Sequence, residues 1–374
     1  MSELSDYSKQ RDDYYNDKLV EVRKKLPKFL NKYFISKEDL LPITLYNYAV
    51  DLTMFFEWVR HRPQFHEYAK TDIKDLPLEI LAKLTTEDLD RYIKGDPDDP
   101  ESVIRVKGPR SQQRKLASLS SMYQFFAALE KIPDDPSADV TLKKAPDHII
   151  TYLQPNEVAI LLDCIDKEYL DLIKCENINN SIARRYRFNR LRDLAIVTLL
   201  LGTGIRVSEC VGLNITDIDF NDGAIHITRK GHKRDTVYMG EEIEETLKDY
   251  LLNARDSYQP AEDEKALFLS QHHKRMAVRS IEEMLDKYVK VALPSRAHDK
   301  ISPHKMRSTF GTMVYKENRD IKLVADALGH RSIITTQDYY AKSDDEVKRQ
   351  AFRSVRLREK KNQADGSEPK SELH

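Results

Sequence analysis

The stretch Ser302-Pro303-His304-Lys305-Met306-Arg307 carries two side chains suited to holding an anion. Pro303 fits the first turn of a helix, where its missing N–H is harmless. On that helix His304 and Arg307 stand at i and i+3, so both leave from one face. A guanidinium grips two oxygens in a fork, and an imidazole beside it can donate to a third or move a proton. Leu328-Gly329-His330 has the pattern of a helix end, with Gly in the stop position and a second His at the turn. A hydroxyl nucleophile follows at Tyr339 or Tyr340. Upstream, Arg206 stands after Gly202-Thr203-Gly204, and Lys230 stands in Lys230-Gly231-His232-Lys233. An arginine at a helix N-terminus beside backbone N–H groups makes a reasonable phosphate pocket. Its competing role is an ion pair with Glu209. Gly202-Thr203-Gly204 is not a nucleotide loop: no strand precedes it, and no Gly-Lys-Ser/Thr ending follows.

These residues need a scaffold, and the sequence predicts a mainly α, α+β one. The chain has 374 residues, 40% of them hydrophobic, enough for about two packed domains. No apolar run approaches the roughly 20 residues of a membrane span. Met1 to Asp17 is polar, so no secretory signal is expected. Cys164, Cys175 and Cys210 lack metal-ligand spacing and are expected to be reduced thiols, mostly buried. The net charge of −1 does not announce a nucleic-acid binder, but with 33% charged residues basic faces remain open.

Residues 1–140 are expected to form a small all-helical domain. Leu19 to Tyr33 reads as a basic amphipathic helix interrupted by Pro27. Thr44 is a candidate N-cap for a helix bearing Leu45, Tyr48, Leu52, Phe55, Phe56 and Val59, with Tyr46 and Trp58 off that stripe. Leu76 to Leu84 is a short helix, and Thr85-Thr86-Glu87-Asp88 starts another. The run from Gly95 to Glu101 is an acidic, Pro-punctuated loop. From Ser111 to Glu130 a helix is predicted with Leu116, Leu119, Tyr123, Phe126 and Leu129 inward. Arg110, Gln113, Arg114 and Lys115 crowd its outward start, where Arg can read guanine, Gln adenine, and Lys can meet phosphate. An ordinary solvated face is the competing account.

Residues 141–150 have linker composition, and residues 151–356 are expected to form a second, mostly helical domain. It opens with a helix from Thr151 to Asp166, with Val158, Ile160, Leu161 and Leu162 as core. The basic cluster Arg184, Arg185, Arg187, Arg190 and Arg192 suits an anion or nucleic-acid surface, or a solvated helix. Asp193 to Leu201 carries the apolar run Leu194, Ala195, Ile196, Val197, Leu199 and Leu200, so this helix is expected to be buried on most sides. Ala224 to Arg229 alternates, Ile225 and Ile227 inward against His226 and Thr228. Asp235 to Met239 mirrors it, so a small antiparallel β-sheet with a hairpin turn at Lys230 is predicted. Helices follow at Glu241 to Ala254, Ile281 to Val291, Pro303 to Glu317 and Ile321 to Leu328. His272-His273 reads as loop, without ligand spacing. Asp344 to Arg356 is a last amphipathic helix, and residues 357–374 read as a disordered tail.

Taken in order, Thr203-Gly204-Ile205-Arg206-Val207-Ser208-Glu209, a hairpin Lys, His304-Lys-Met-Arg307, Leu328-Gly329-His330 and a Tyr nine positions on resemble the tyrosine recombinase (phage integrase) family. The resemblance runs from about Leu19 to Phe352. It implies a SAM-like core-binding domain, then a catalytic domain. The catalytic set it implies is Arg206, Lys230, His304, Arg307 and His330, with Tyr339 as nucleophile. Lys230 is preferred to Lys233 because the family's Lys precedes the hairpin Gly, and Tyr339 to Tyr340 by distance from Leu-Gly-His. Thr228 to Val237 and Ser118 to Tyr123 are similar to the single-protein Xer branch of streptococcal type. Ser308 departs from the second His that many members carry after the Arg, at a position outside the six.

The resemblance further implies attack by a tyrosine hydroxyl, whose reference pKa is about 10, on a phosphodiester without metal or other cofactor. Arg206 and Arg307 would hold the non-bridging oxygens, His304 would act as base, Lys230 as acid, and His330 would bond the phosphate. The expected partners are a double-stranded DNA recombination site and three further copies, a homotetramer on two sites resolving a Holliday junction. The helix from Asp344 would dock on a neighbour. A cell-division DNA translocase is a candidate partner, no membrane insertion is expected, and the implied location is the bacterial cytoplasm at the nucleoid. Chromosome dimer resolution is the implied role. Alternatives are a mobile-element integrase, a type IB topoisomerase, which shares the chemistry, and a non-catalytic DNA-binding protein.

Overall fold

In the computed structural model of the chain, the described residues are 6–95, 108–143, 151–175, 177, 180–229 and 232–329. They group into two compact units: those of Met1–His148 with Ile227–Asp235, and those of Ile149–His226 with Thr236–His374. The architecture is mainly α with one small sheet, as expected. Among the described residues no helix is long and apolar enough to cross a membrane. The linker residues 144–150, the acidic loop after Gly95, Lys230, His330, Tyr339, Tyr340, the helix expected from Asp344 and the tail lie outside the described residues.

The amino-terminal unit is built from α1 (Asp6–Arg23), α2 (Leu30–Ile35), α3 (Pro42–Arg60), α4 (Glu79–Lys83), α5 (Thr86–Lys94) and α6 (Pro109–Ala128). Its core is the apolar face of α3 (Leu52, Phe55, Phe56, Val59) against Leu119, Met122, Tyr123 and Phe126 of α6. Each such fully buried side chain contributes about 1.5–3 kcal/mol. Phe29 sits edge-on to both Phe56 and Phe126, with ring centroids 5.8 and 5.5 Å apart. Thr85 caps α5 as predicted: its hydroxyl accepts from Asp88 N–H, while the Asp88 carboxylate accepts from Thr85 N–H at 3.0 Å.

Three expectations need correction here. Helix α1 starts at Asp6, well before Leu19, because a solvated face needs no apolar stripe along its whole length. Helix α3 starts at Pro42 rather than after a Thr44 cap, since Pro at the first position is itself a start signal. Leu129 is exposed, because α6 ends at Ala128 and the turn carries it off the inward face. Trp58 is half-buried, packed against the core, as its place off the stripe implied.

In the second unit, α7 (Pro155–Asp163) continues through a π turn at Cys164–Glu168 into α8 (Tyr169–Leu172). Of the predicted α7 core only Leu161 is fully buried, and Ile160 is exposed, because adjacent positions on one helix cannot all face inward. Next in the chain come α9 (Ser181–Thr203), α10 (Val207–Gly212), strands β1 (Ile218–Asp219), β2 (Ala224–Arg229) and β3 (Lys233–Tyr238), of which the stretch Ile227–Asp235 groups with the amino-terminal unit, then α11 (Glu241–Asn253), α12 (Val278–Ala292), α13 (Pro303–Asn318) and α14 (Ile321–Leu328). The sheet order is β1-β2-β3, with β1 antiparallel to β2, Ile218 opposite Ile225. Ile225 and Ile227 point inward and His226 outward, as the alternation predicted. Cys164 and Cys210 are buried and Cys175 half-buried, all as free thiols. Helix α9 joins the basic run to the apolar one: Ala195 to Leu201 is almost wholly buried, while Arg184 and Arg185 are exposed.

Candidate active site

Three of the six catalytic candidates are described, and they stand at the ends of helices. Helix α9 stops at Gly204, which adopts φ +62°, ψ +17° and donates its N–H to Leu200 O at 3.1 Å. Only glycine reaches that conformation without a Cβ penalty. Arg206 then caps α10. The buried Glu209 carboxylate accepts both the Arg206 backbone N–H, at 2.7 Å, and its Nη1, at 2.8 Å. The pairing with Glu209 is therefore real, and it leaves the Arg206 side chain partly exposed. It orients the guanidinium rather than hiding it.

His304 sits exposed in the first turn of α13, directly after Pro303, as predicted. Arg307, one turn on, is buried at 5% exposure. Its Nη1 donates to Gly204 O at 2.5 Å, and its Nη2 donates to Leu328 O. Both acceptors are orphan carbonyls at helix C-termini, of α9 and α14, where the helix dipole places partial negative charge. One arginine thus ties together the loop that leads to Arg206 and the turn at Gly329, which caps α14 at φ +60°. The Leu328-Gly329 stop was legible from sequence. The arginine staple was not, because its partners lie 103 and 21 residues away.

Several supporting residues carried no local signal. Phe310 of α13 covers Gly204, where a Cβ would lie 2.3 Å from its ring. Thr309 Oγ1 accepts from Leu153 N–H at 2.9 Å, tying the start of the unit to α13. Arg275 braces the far end of α10, donating to Val211 O and Leu213 O at 2.8 Å each. Only convergence in space reveals such roles.

The expected DNA-facing residues divide in two groups. On α6, Arg110, Gln113 and Arg114 are exposed near the N-terminus. Arg114 donates at 2.5 Å to Asp51, which is 1% exposed, and Lys115 lies 4.4 Å over the Tyr92 ring. Burial raises the Asp51 pKa in spite of Arg114. On α9, Arg184 and Arg185 are exposed, whereas Arg190 donates to Asp166 at 2.5 Å and Arg192 to Asp193 at 2.6 Å. Two of the five arginines of that cluster are therefore structural. His272 and His273 lie in a loop, and the described residues hold no group of three or more His, Cys, Asp or Glu able to bind a metal.

Residues 168–346 match the phage integrase family. The chain is 31% identical over 332 residues to tyrosine recombinase XerC of Caldanaerobacter subterraneus subsp. tengcongensis, covering 86% of this chain and 84% of that one. To tyrosine recombinase XerS of Streptococcus mutans it is 29% identical over 354 residues, covering 89% and 96%. The fold is similar to that of the XerH site-specific recombinase bound to its difH substrate, with TM-score 0.57, 20% identity and coverage of 84% and 80%. The chain belongs to the phage integrase family and is a tyrosine-type site-specific DNA recombinase.

Proposed function

We propose that this recombinase cleaves and rejoins DNA through a 3′-phosphotyrosyl link, exchanging strands between two sites by way of a Holliday junction, and that its role is Xer-type resolution of chromosome dimers. The observation that carries the reading is the arginine staple: Arg307 is fixed between two helix ends, beside the loop leading to Arg206 and one turn from His304. All six candidate residues also fall within the span 168–346 that matches the family.

In this reading Arg206 and Arg307 hold the two non-bridging oxygens and offset the charge that builds in the transition state. The Tyr339 oxygen attacks phosphorus while its proton passes to His304. The bond to the 5′-oxygen breaks, and Lys230 supplies the proton that the leaving oxygen takes. His330 hydrogen-bonds the phosphate. The phosphotyrosyl product conserves the energy of the broken bond, so resealing by a 5′-hydroxyl needs no nucleotide. Arg110, Gln113, Arg114 and Lys115 of α6, with Arg184 and Arg185 of α9, are assigned to the DNA. Residues 1–140 serve as the core-binding domain and 151–356 as the catalytic one, joined by the linker 141–150. The segment Asp344 to Arg356 docks on a neighbouring protomer within a tetramer, and a cell-division DNA translocase is the partner that would regulate it.

Trapping covalent protein–DNA adducts in cells, with Tyr339→Phe as the blank, tests this. The expected result is attached ends at one chromosomal site near the replication terminus, absent from the blank. Ends of a mobile element would make the protein that element's integrase. Adducts that persist in Tyr339→Phe would remove Tyr339 as nucleophile.

A further inference from the structure

A cavity of about 390 Å³ opens between α9, α12 and the loop at Ser270–His272, within the second unit. That volume lies in the roughly 300–1,000 Å³ range of small-ligand sites. Three cations line it: Arg185 and Arg192 of α9 and Lys287 of α12. Two carboxylates line it as well, and both are engaged. Asp193 accepts from Arg192 Nε and Nη2 at 3.0 and 2.6 Å, and its other oxygen accepts from Tyr288 OH at 3.0 Å. Glu283 accepts from Arg279 Nε at 2.8 Å.

Arg185 and Lys287 therefore make no ion pair with a carboxylate among the described residues. Lys287 Nζ instead lies 3.8 Å from the Tyr288 ring centroid and 4.9 Å from that of Tyr169. Those rings attract a cation but accept no strong hydrogen bond, and an ammonium has three N–H donors. Burial lowers the Lys287 pKa, and Arg185 and Arg192 lower it further against the pull of Asp193. Like charges facing one cavity repel, and the arrangement becomes favourable when an anion sits between them.

We infer that this cavity binds a tetrahedral phosphate, with the Arg185 fork taking two oxygens and Lys287 a third. Arg supplies planar bidentate recognition and Lys a point charge, the combination that phosphate oxygens take up. The phosphate belongs either to a free phosphorylated small molecule or to a DNA backbone, and the two sources separate by experiment.

Inorganic phosphate is titrated calorimetrically into the full chain in a chloride-poor buffer, without DNA, so the outcome is independent of any recombination reaction. The expected result is saturable binding that weakens roughly tenfold or more in Lys287→Met and in Arg185→Gln. It should be largely retained in Lys287→Arg and unchanged in Lys290→Gln, whose partner Asp286 lies outside the cavity. A circular-dichroism melt establishes that each variant is folded. In a second arm, affinity for a duplex is measured against salt. If the backbone is the source, Lys287→Met lowers the magnitude of the salt slope by about one. If the source is free phosphate, the slope is unchanged while phosphate binding is lost. Phosphate binding and salt slope both equal to those of the parent in Lys287→Met would overturn the assignment.

Discussion

Gly204→Ala isolates the geometry that holds the two arginines. At this position two costs add. An alanine at φ +62° pays about 1–2 kcal/mol for the left-handed conformation. Its Cβ would also lie 2.3, 2.9 and 3.0 Å from Cδ1, Cγ and Cε1 of Phe310, three atoms of one ring rather than the end of a flexible chain. Displacing that ring amounts to overpacking, which costs about 1–3 kcal/mol. The expected destabilisation is thus about 2–5 kcal/mol, and for a domain of this size each kcal/mol lowers Tm by roughly 2–4 °C. Because Gly204 O accepts from Arg307, covalent adduct formation should fall even below the temperature at which the variant begins to melt. Phe310→Ala provides the second leg of a double-mutant cycle. In that background the steric part vanishes, and Gly204→Ala should cost only the conformational 1–2 kcal/mol. Calorimetric unfolding of the four proteins reads both terms. A Gly204→Ala penalty that is the same in both backgrounds would refute the steric argument, and a penalty under about 0.5 kcal/mol would refute both.

Asp193→Ala should cost about 3–5 kcal/mol in urea unfolding, since it strands the buried Arg192 guanidinium and the Tyr288 hydroxyl together. A loss under 1 kcal/mol would mean that the pair is solvated. Asp51→Asn should flatten the pH dependence of stability of the amino-terminal unit. Burial raises the Asp51 pKa above its ordinary 3.8, so the folded state holds the proton longer than the unfolded one. The parent therefore loses stability as pH rises from about 3.8 through the raised value, and is level above it. Parallel stability–pH curves for parent and variant would contradict this.

What the sequence made legible is local. Pro303 opening α13, Gly329 closing α14, the Thr85–Asp88 cap and the alternation of Ala224–Arg229 are all written within a few residues, and each stands where expected. Local signals also misled where two competed: Thr44 offers a capping hydroxyl, but Pro42 two residues earlier already begins the helix. The basic run on α9 shows the larger limit. Arg184 and Arg185 face solvent whereas Arg190 pairs with the half-buried Asp166 and Arg192 with the buried Asp193, and nothing in the spacing separates the pairs. Asp51 with Arg114, Leu153 with Thr309, and Arg307 with Gly204 meet across 63, 156 and 103 residues. These contacts depend on the packing of whole helices, for which period and propensity give no register.

The arginine staple has a consequence for how the site is dissected. A guanidinium carries donors fixed in one plane, so carbonyls from two separate helix ends set the direction of the whole fork. Arg307 is in this sense part of the fold as well as a candidate phosphate ligand, and truncating it removes a buried brace together with any transition-state contact. Loss of activity in such a variant cannot be apportioned between the two. Arg206 differs: its anchor is a single carboxylate one turn away on the same short helix, and its side chain stays partly exposed. Substitution at Arg206 should therefore reduce cleavage at a stability cost of about 1–3 kcal/mol, because the buried Glu209 carboxylate loses the guanidinium but keeps the Arg206 backbone N–H, while the brace at Arg307 is better probed through its acceptor, by the backbone change at Gly204.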